Sequence, residues 1–175
     1  MIRALTSLDL EDVQTVFDSA FSQDEAPLTY SVIRELITEH SEPESLCLGY
    51  VVEDTVAAAV AFSPVQFSAE SLLSAYILAP LATHPKYQKQ GFATSMIRVA
   101  IDHLTRQKID AVLVYGDPNY YQQYGFSVEL GQHFVPPYPL QYEFGWQALM
   151  LSDAAIKGGP HRFSCVAALS DPSLW

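Results

Sequence analysis

Leu81-Ala82-Thr83-His84-Pro85-Lys86-Tyr87-Gln88-Lys89-Gln90-Gly91-Phe92-Ala93-Thr94 is the stretch that decides how this chain is read. Just upstream, Leu72 to Ala82 is the longest apolar run, and its continuity predicts a strand buried on both faces. Pro80 has no N–H, so that strand is expected to lose a partner on one side there. His84 to Gly91 is a polar loop. From Phe92 onward Met96, Ile97, Ala100, Ile101 and Leu104 recur at helical spacing, which predicts a helix ending near Gln107 and Lys108. The first turn of such a helix carries unpaired N–H groups and the positive end of the dipole, a ready place for a phosphate. Gly91 lets the backbone approach a ligand, Ala93 keeps the next contact small, and Lys89 adds charge. These features suit an anion site, and they suit an ordinary loop and helix start as well.

Before this stretch, Ile2 to Leu5 reads as a short strand, and Thr6 with Asp9 has the spacing of a capping box. Leu10, Val13, Val16, Phe17, Ala20 and Phe21 predict a helix ending near Ser22. Leu28, Val32, Ile33, Leu36 and Ile37 predict a second helix, closed by Glu42-Pro43-Glu44. Leu46 to Val52 and Val56 to Phe62 read as strands around a Glu53-Asp54 turn, with Pro64 marking a bulge or sheet edge. After the stretch, Ala111 to Tyr115 is a short buried strand. Asp117 is a candidate cap and Pro118 the first residue of a short helix that Gly125 stops. Phe126-Ser127-Val128 is expected to resume the sheet. The segment around Pro136, Pro137 and Pro139 is a loop, and Trp146 to Leu151 is a clear strand. Gly158-Gly159-Pro160 is a turn before a last apolar run, Phe163 to Leu169. This order predicts a mixed α/β fold with helices on both faces of the sheet. The chain is expected to form one domain over residues 1–175, of which 131–175 is the less strongly patterned part.

Composition narrows the function. The 175 residues carry a formal charge of −11, from 20 acidic and 9 basic side chains. That balance argues against nucleic acid, whose phosphates need Lys and Arg, and against anionic membranes. It suits a cationic partner such as an amine, and it also simply aids solubility. Two cysteines, Cys47 and Cys165, make no disulfide framework or Cys-x-x-Cys pair, and both sit in apolar runs. Asp9, Glu11 and Asp12 follow the N-terminus too closely for a secretory signal, and no apolar run reaches the ~18 residues of a membrane span. The expected location is the cytoplasm. The histidines give no metal-ligand spacing, and no nucleophile elbow, P-loop or dinucleotide fingerprint is present.

Gln88-Lys89-Gln90-Gly91-Phe92-Ala93 resembles the Gln/Arg-x-x-Gly-x-Gly/Ala signature of the GNAT superfamily of acyl-CoA N-acyltransferases. Leu81 to Tyr87 is similar to the strand end that leads into it there. One strand later, Tyr121-Gln122-Gln123-Tyr124-Gly125-Phe126 resembles the family's Tyr-x-x-x-Gly-Phe element. Gly116 to Tyr121 is similar to the form of that element in one bacterial branch of acetyltransferases. The order of elements matches from residue 1 to about 130. The resemblance implies a mostly antiparallel central sheet with a splayed cofactor cleft, and acetyl-CoA as co-substrate. Leu81, Ala82 and Thr83 would bind the pantetheine arm through their backbone. The N–H groups of Lys89, Gln90, Gly91, Phe92, Ala93 and Thr94 would bind the pyrophosphate. Lys86 or Lys89 would meet the ribose phosphate or remain solvated. Asn119 would bind the pantetheine arm or serve only as a helix-start polar residue.

The resemblance also implies direct transfer. A neutral amine attacks the thioester carbonyl, and the departing thiolate takes up a proton. Tyr121 is the candidate general acid, since a phenol with pKa about 10 is protonated at neutral pH. The alternative for Tyr121 is packing in an aromatic patch with Tyr120 and Tyr124. Many relatives carry a Glu on the strand before the signature, but Leu72 to Ala82 contains no acid. The base is therefore unassigned, with Glu70, Asp117, Glu25 and His84 as weak candidates. The missing acid motivates a second reading, a catalytically silent CoA-binding regulatory module. A third is a binding protein for another anion. The acceptor amine is not legible. The 22–31 loop, the 133–140 loop and the tail would shape its site, where Tyr138, Tyr142, Phe144 and Trp146 suit a pocket, a homodimer interface or core packing. Residues 84–108 hold Lys86, Lys89, Arg98, Arg106 and Lys108 against Asp102 alone, which predicts a basic cofactor side within an acidic protein.

Overall fold

The computed structural model describes residues 1–69, 71–153 and 159–175. Its elements follow in the order β1 (Ile2–Ala4), α1 (Leu10–Ala20), α2 (Ala26–Thr38), β2 (Leu46–Val52), β3 (Thr55–Phe67), β4 (Ala75–Thr83), α3 (Phe92–Arg106), β5 (Ala111–Tyr115), α4 (Pro118–Tyr121), α5 (Val128–Gly131), β6 (Phe134–Val135), β7 (Trp146–Met150) and β8 (His161–Cys165). The fold is mixed α/β. Pairing is antiparallel for β1 with β2, β2 with β3, β3 with β8 and β5 with β7, and parallel for β4 with β5 and β6 with β8. The chain forms two compact units, Met1–Phe62 with Ala79–Ala100, and Ser63–Leu78 with Ile101–Trp175. Residues of β3, β4 and α3 belong to both.

In the first unit the predicted capping box forms. The Thr6 N–H donates to Asp9 Oδ2 at 2.8 Å, and Thr6 Oγ1 accepts from Leu8 N–H at 3.3 Å. It caps a 3-10 turn, Ser7–Asp9, that leads into α1. Arg3 grips the same carboxylate with two donors, at 2.8 and 2.6 Å. The arginine hydrogen bond, with those from Thr6, outweighs burial and lowers the Asp9 pKa to about 2. Val13, Val16 and Phe17 form the buried stripe of α1, and Val32, Ile33 and Leu36 that of α2. Helix α2 stops at Thr38, before the expected Glu42-Pro43-Glu44 breaker.

The β2–β3 hairpin is in register from Leu46↔Phe62 to Val52↔Thr55. Glu53 and Asp54 both take positive φ, 48° and 63°, which matches the handed two-residue turn that strand twist favours. Strand β3 is 13 residues long and continues through Pro64, beyond the Phe62 end expected from sequence. The reason is a change of partner. Residues up to Phe62 pair with β2, Val65 to Phe67 pair with β8, and the proline without an N–H lies between the two ladders. Ala57, Ala58, Ala59 and Ala61 are weak strand formers, yet all are fully buried here, so packing overrides propensity.

In the second unit β4 begins at Ala75, not Leu72, and Leu72 is fully exposed. Asp110 fixes that start by accepting from Ser74 N–H at 2.9 Å and Ser74 Oγ at 3.1 Å. Ser152 Oγ donates to the same carboxyl at 2.5 Å, which ties in the chain just after β7. The parallel β4–β5 ladder runs from Ala75↔Ala111 to Leu78↔Val114 and stops there, two residues short of Pro80. Phe126-Ser127-Val128 does not resume the sheet as a strand. Only Ser127 bridges, to Ala148, because its side chain caps α5 by accepting from Glu129 and Leu130 N–H. The expected turn at Gly158-Gly159-Pro160 falls partly outside the described residues, as does Glu70. Among the described residues, no helix is long and apolar enough to cross a membrane.

Candidate active site

The signature loop is built as a helix entrance. His84 ends β4 with its N–H on Ala57 O, and its Nδ1 accepts from Lys86 N–H at 3.2 Å. That capping of a 3-10 turn, Pro85–Tyr87, occupies the ring nitrogen and gives His84 a structural task. Gln88 Nε2 reaches back to Thr83 O and Gln90 Nε2 to Lys86 O, both at 3.2 Å, so two signature side chains brace the loop backbone. Lys89 and Gly91 both adopt positive φ, 60° and 81°. A Cβ built at Gly91 meets nothing within 4 Å, so this backbone borders open space. Helix α3 bonds back into the loop from Ser95 N–H to Gly91 O, at 2.9 Å. The first turn of any α-helix directs its N–H groups out of the helix.

The helix entrance is anchored by a contact that sequence spacing does not reveal. The ring of Phe92 stacks on Tyr50 of β2, with centroids 3.9 Å apart and planes within 6°. Tyr87 packs on the same Phe92 ring at 6.1 Å, and Lys86 Nζ lies 5.0 Å from the Tyr87 ring centre. Of the predicted cofactor residues, Ala82 is buried, Leu81, Thr83, Phe92, Ala93 and Thr94 are half-buried, and Lys89, Gln90 and Gly91 are exposed. Among the basic side chains of this region, Arg106 is paired with Asp102, whereas Lys86, Lys89 and Arg98 are exposed on the loop and helix.

The second motif lies in the second unit. Asp117 caps α4 by accepting from Asn119 N–H at 2.9 Å. A 3-10 turn, Gln122–Tyr124, extends the helix, and Gly125 closes it with φ 92°. Tyr121 packs edge-on against Phe126, centroids 5.8 Å apart, and against Tyr120 at 5.0 Å. Burial, with a smaller contribution from Tyr124, pushes its pKa above the ordinary value of 10. Tyr120 is raised too, by burial and by a hydrogen bond from Tyr124. The ring of Tyr121 is thus held, while its hydroxyl has no hydrogen-bond partner among the described residues. Asn119 is exposed, and its side-chain amide has no hydrogen-bond partner among the described residues.

The candidate bases divide. Asp117 is used as a cap, and Glu25 accepts from Ser22 Oγ at 2.6 Å in an exposed turn. Glu70 lies outside the described residues. Burial pushes the thiols of Cys47 and Cys165 up to about 12, so neither is a nucleophile near neutrality. The proline-rich loop borders a cavity of about 610 Å³, lined by Phe134, Pro136, Pro137, Tyr138, Leu140 and Trp146 among others. Tyr138 and Trp146 are among its walls, while Tyr142 and Phe144 are exposed. Tyr50 is a contact that motif spacing does not reveal, because it reaches the helix entrance from a neighbouring strand.

The model of the acetyltransferase (GNAT) domain matches residues 1–128. The N-acetyltransferase YhbS of Escherichia coli is 30% identical over 162 residues, covering 90% of this chain and 91% of its own. YjhQ, another E. coli N-acetyltransferase by name, is 34% identical over 139 residues, covering 77% and 74%. The crystal structure of YhbS in complex with CoA superposes with a TM-score of 0.79 at 25% identity, covering 98% of this chain and 92% of that one. A GNAT acetyltransferase of Brucella melitensis, crystallised with acetyl-CoA, shares the fold with a TM-score of 0.68 at 19% identity, covering 96% of each chain. With the signature loop, the Tyr-x-x-x-Gly-Phe element and these matches together, the chain belongs to the GNAT acetyltransferase family.

Proposed function

We propose that this protein transfers an acetyl group from acetyl-CoA directly to the nitrogen of an acceptor amine. The observation that carries the reading is the α3 entrance, where Gly91 at φ 81° borders open space beside Lys89. First-turn N–H groups and a positive dipole end suit the pyrophosphate of CoA, and relatives bind CoA or acetyl-CoA. In this reading the backbone of Leu81 to Thr83 holds the pantetheine arm, the N–H groups of Lys89 to Thr94 hold the pyrophosphate, and Asn119 assists.

The chemistry balances simply. The amine lone pair forms the C–N bond, the C–S bond breaks, and the sulfur takes the electron pair. Tyr121 donates its hydroxyl proton to that sulfur and regains one when the acetylated nitrogen sheds its own. Its free hydroxyl supports the donor role, and burial keeps the phenol protonated throughout the physiological range. No side chain is assigned as base, so the acceptor enters as the neutral amine. The whole chain, 1–175, acts as one acetyltransferase domain, consistent with relatives matched over nine-tenths of its length. The cytoplasm is the compartment we expect for it.

The test is thiol release from acetyl-CoA against a panel of primary amines, with products identified by mass spectrometry. Acceptor-dependent release, together with an acetylated amine, is the expected result. Tight CoA binding with no release for any amine would instead favour a silent CoA-binding module.

A further inference from the structure

Gln147 sits on β7 opposite Val114 of β5, and it is completely buried. Its Nε2 donates to Gly116 O at 3.1 Å and to Gly145 O at 3.2 Å. Gly116 N–H in turn donates to Gly145 O at 2.9 Å. The peptide links flanking Gly116 are therefore tied on one side to Gly145, just before β7, and on the other to Gln147 of β7. Gly116 is also the seat of the Tyr121 ring. A Cβ built on it would stand 2.6 Å from Tyr121 Cε2 and 3.3 Å from Cδ2.

The amide is an odd choice for this position on stability grounds. No donor among the described residues reaches Gln147 Oε1, although the atom is buried. An unmatched buried acceptor is destabilising, and an apolar side chain of similar shape would remove it only by giving up the bond to Gly116 O. Gly145 O would keep its bond from Gly116 N–H without Gln147. What Gln147 alone supplies is a donor to Gly116 O.

We infer that Gln147 is a positioning residue for the acetyl transfer: its amide fixes the Gly116 carbonyl, and through the Gly116 α-carbon it sets the place of the Tyr121 hydroxyl. The inference rests on the reading of Tyr121 as proton donor. It assigns to an interior strand residue a task in the reaction that core packing does not require.

The test compares Gln147→Met, Tyr121→Phe and the double variant in the thiol-release assay, with melting curves for each. Gln147→Met is expected to lower kcat about tenfold, with KM for acetyl-CoA within about twofold and little change in Tm, because the orphaned Oε1 is removed while Gly116 O loses its donor. In the Tyr121→Phe background it is expected to have no further effect, because residues acting as a unit are not additive. Gln147→Glu gives a second readout. A protonated carboxyl can still donate one hydrogen bond to Gly116 O, and a carboxylate cannot. Its kcat should fall with rising pH where the wild type does not. Full kcat in Gln147→Met beside an impaired Tyr121→Phe would overturn the inference and leave the donor reading standing. Equal, additive losses in both backgrounds would do the same. Full turnover in Tyr121→Phe would remove the donor reading itself and this inference with it.

Discussion

The ring of Tyr121 rests on the α-carbon of Gly116, so closely that a methyl group there would stand 2.6 Å from Cε2. A contact that short cannot be relieved by a small adjustment, since it meets the body of the ring and not a flexible end. Gly116→Ala should therefore move Tyr121 within its own unit. We expect kcat to fall about tenfold or more, with KM for acetyl-CoA changing less, in steady-state assays. The tyrosine pKa is displaced upward by burial, so the neutral donor persists beyond the ordinary value of 10. No alkaline loss of activity below that pH should trace to Tyr121, and a pH–rate profile compared with Tyr121→Phe checks this.

Gly91 tests the proposed cofactor site. At φ 81° an L side chain is strained whatever the space around it. Gly91→Ala should cost about 1 kcal/mol of local strain and tilt the first-turn N–H groups. The expected result is a several-fold weaker Kd for CoA by calorimetry and a smaller rise of Tm on adding CoA. The kcat at saturating acetyl-CoA should change less than the Kd. An unchanged Kd would separate the loop from pyrophosphate binding.

Asp9 predicts the acid behaviour of the first unit. Its folded pKa of about 2 lies below the ordinary value of 3.8, chiefly through the Arg3 hydrogen bond. A depressed carboxyl pKa stabilises the fold fully above the unfolded value and loses that contribution as pH falls through the folded one. The gain is about 1–2 kcal/mol, reduced because Arg3 is partly exposed. Asp9→Asn should lower Tm by a constant amount above about pH 5, and the gap to wild type should narrow between pH 4 and 2.

The two cysteines predict a negative result for covalent catalysis. With both thiols pushed up to about 12 by burial, thiolate is scarce at neutral pH. Iodoacetamide should leave the folded protein unmodified and active, as mass spectrometry and the thiol-release assay would show. Acetyl-CoA without an amine should give no burst of free CoA. A burst would overturn direct transfer.

Local chemistry was legible along the chain. The Leu46–Val52 and Ala111–Tyr115 strands, the Thr6–Asp9 box, the Asp117 cap and the Phe92 helix start depend on residues within about four positions of one another, and the structure has them where the pattern puts them. The Phe126-Ser127-Val128 strand misled because a Ser at that position caps as readily as it extends, and capping prevailed. Strand β3 outran its expected end because its second partner, β8, lies about a hundred residues away in sequence.

The signature loop, its glycine and the tyrosine motif were therefore determined by the sequence itself, as short-range patterns with a fixed spacing. Only the tertiary structure decided what holds them. Tyr50 reaches Phe92 through the register of β2, and Gln147 reaches Gly116 across 31 residues through the register of β5 with β7. Strand register is a property of paired chains, set by which faces are buried together, and no single segment carries it. The sequence determined the two motifs; the sheet decided which residues hold them in place.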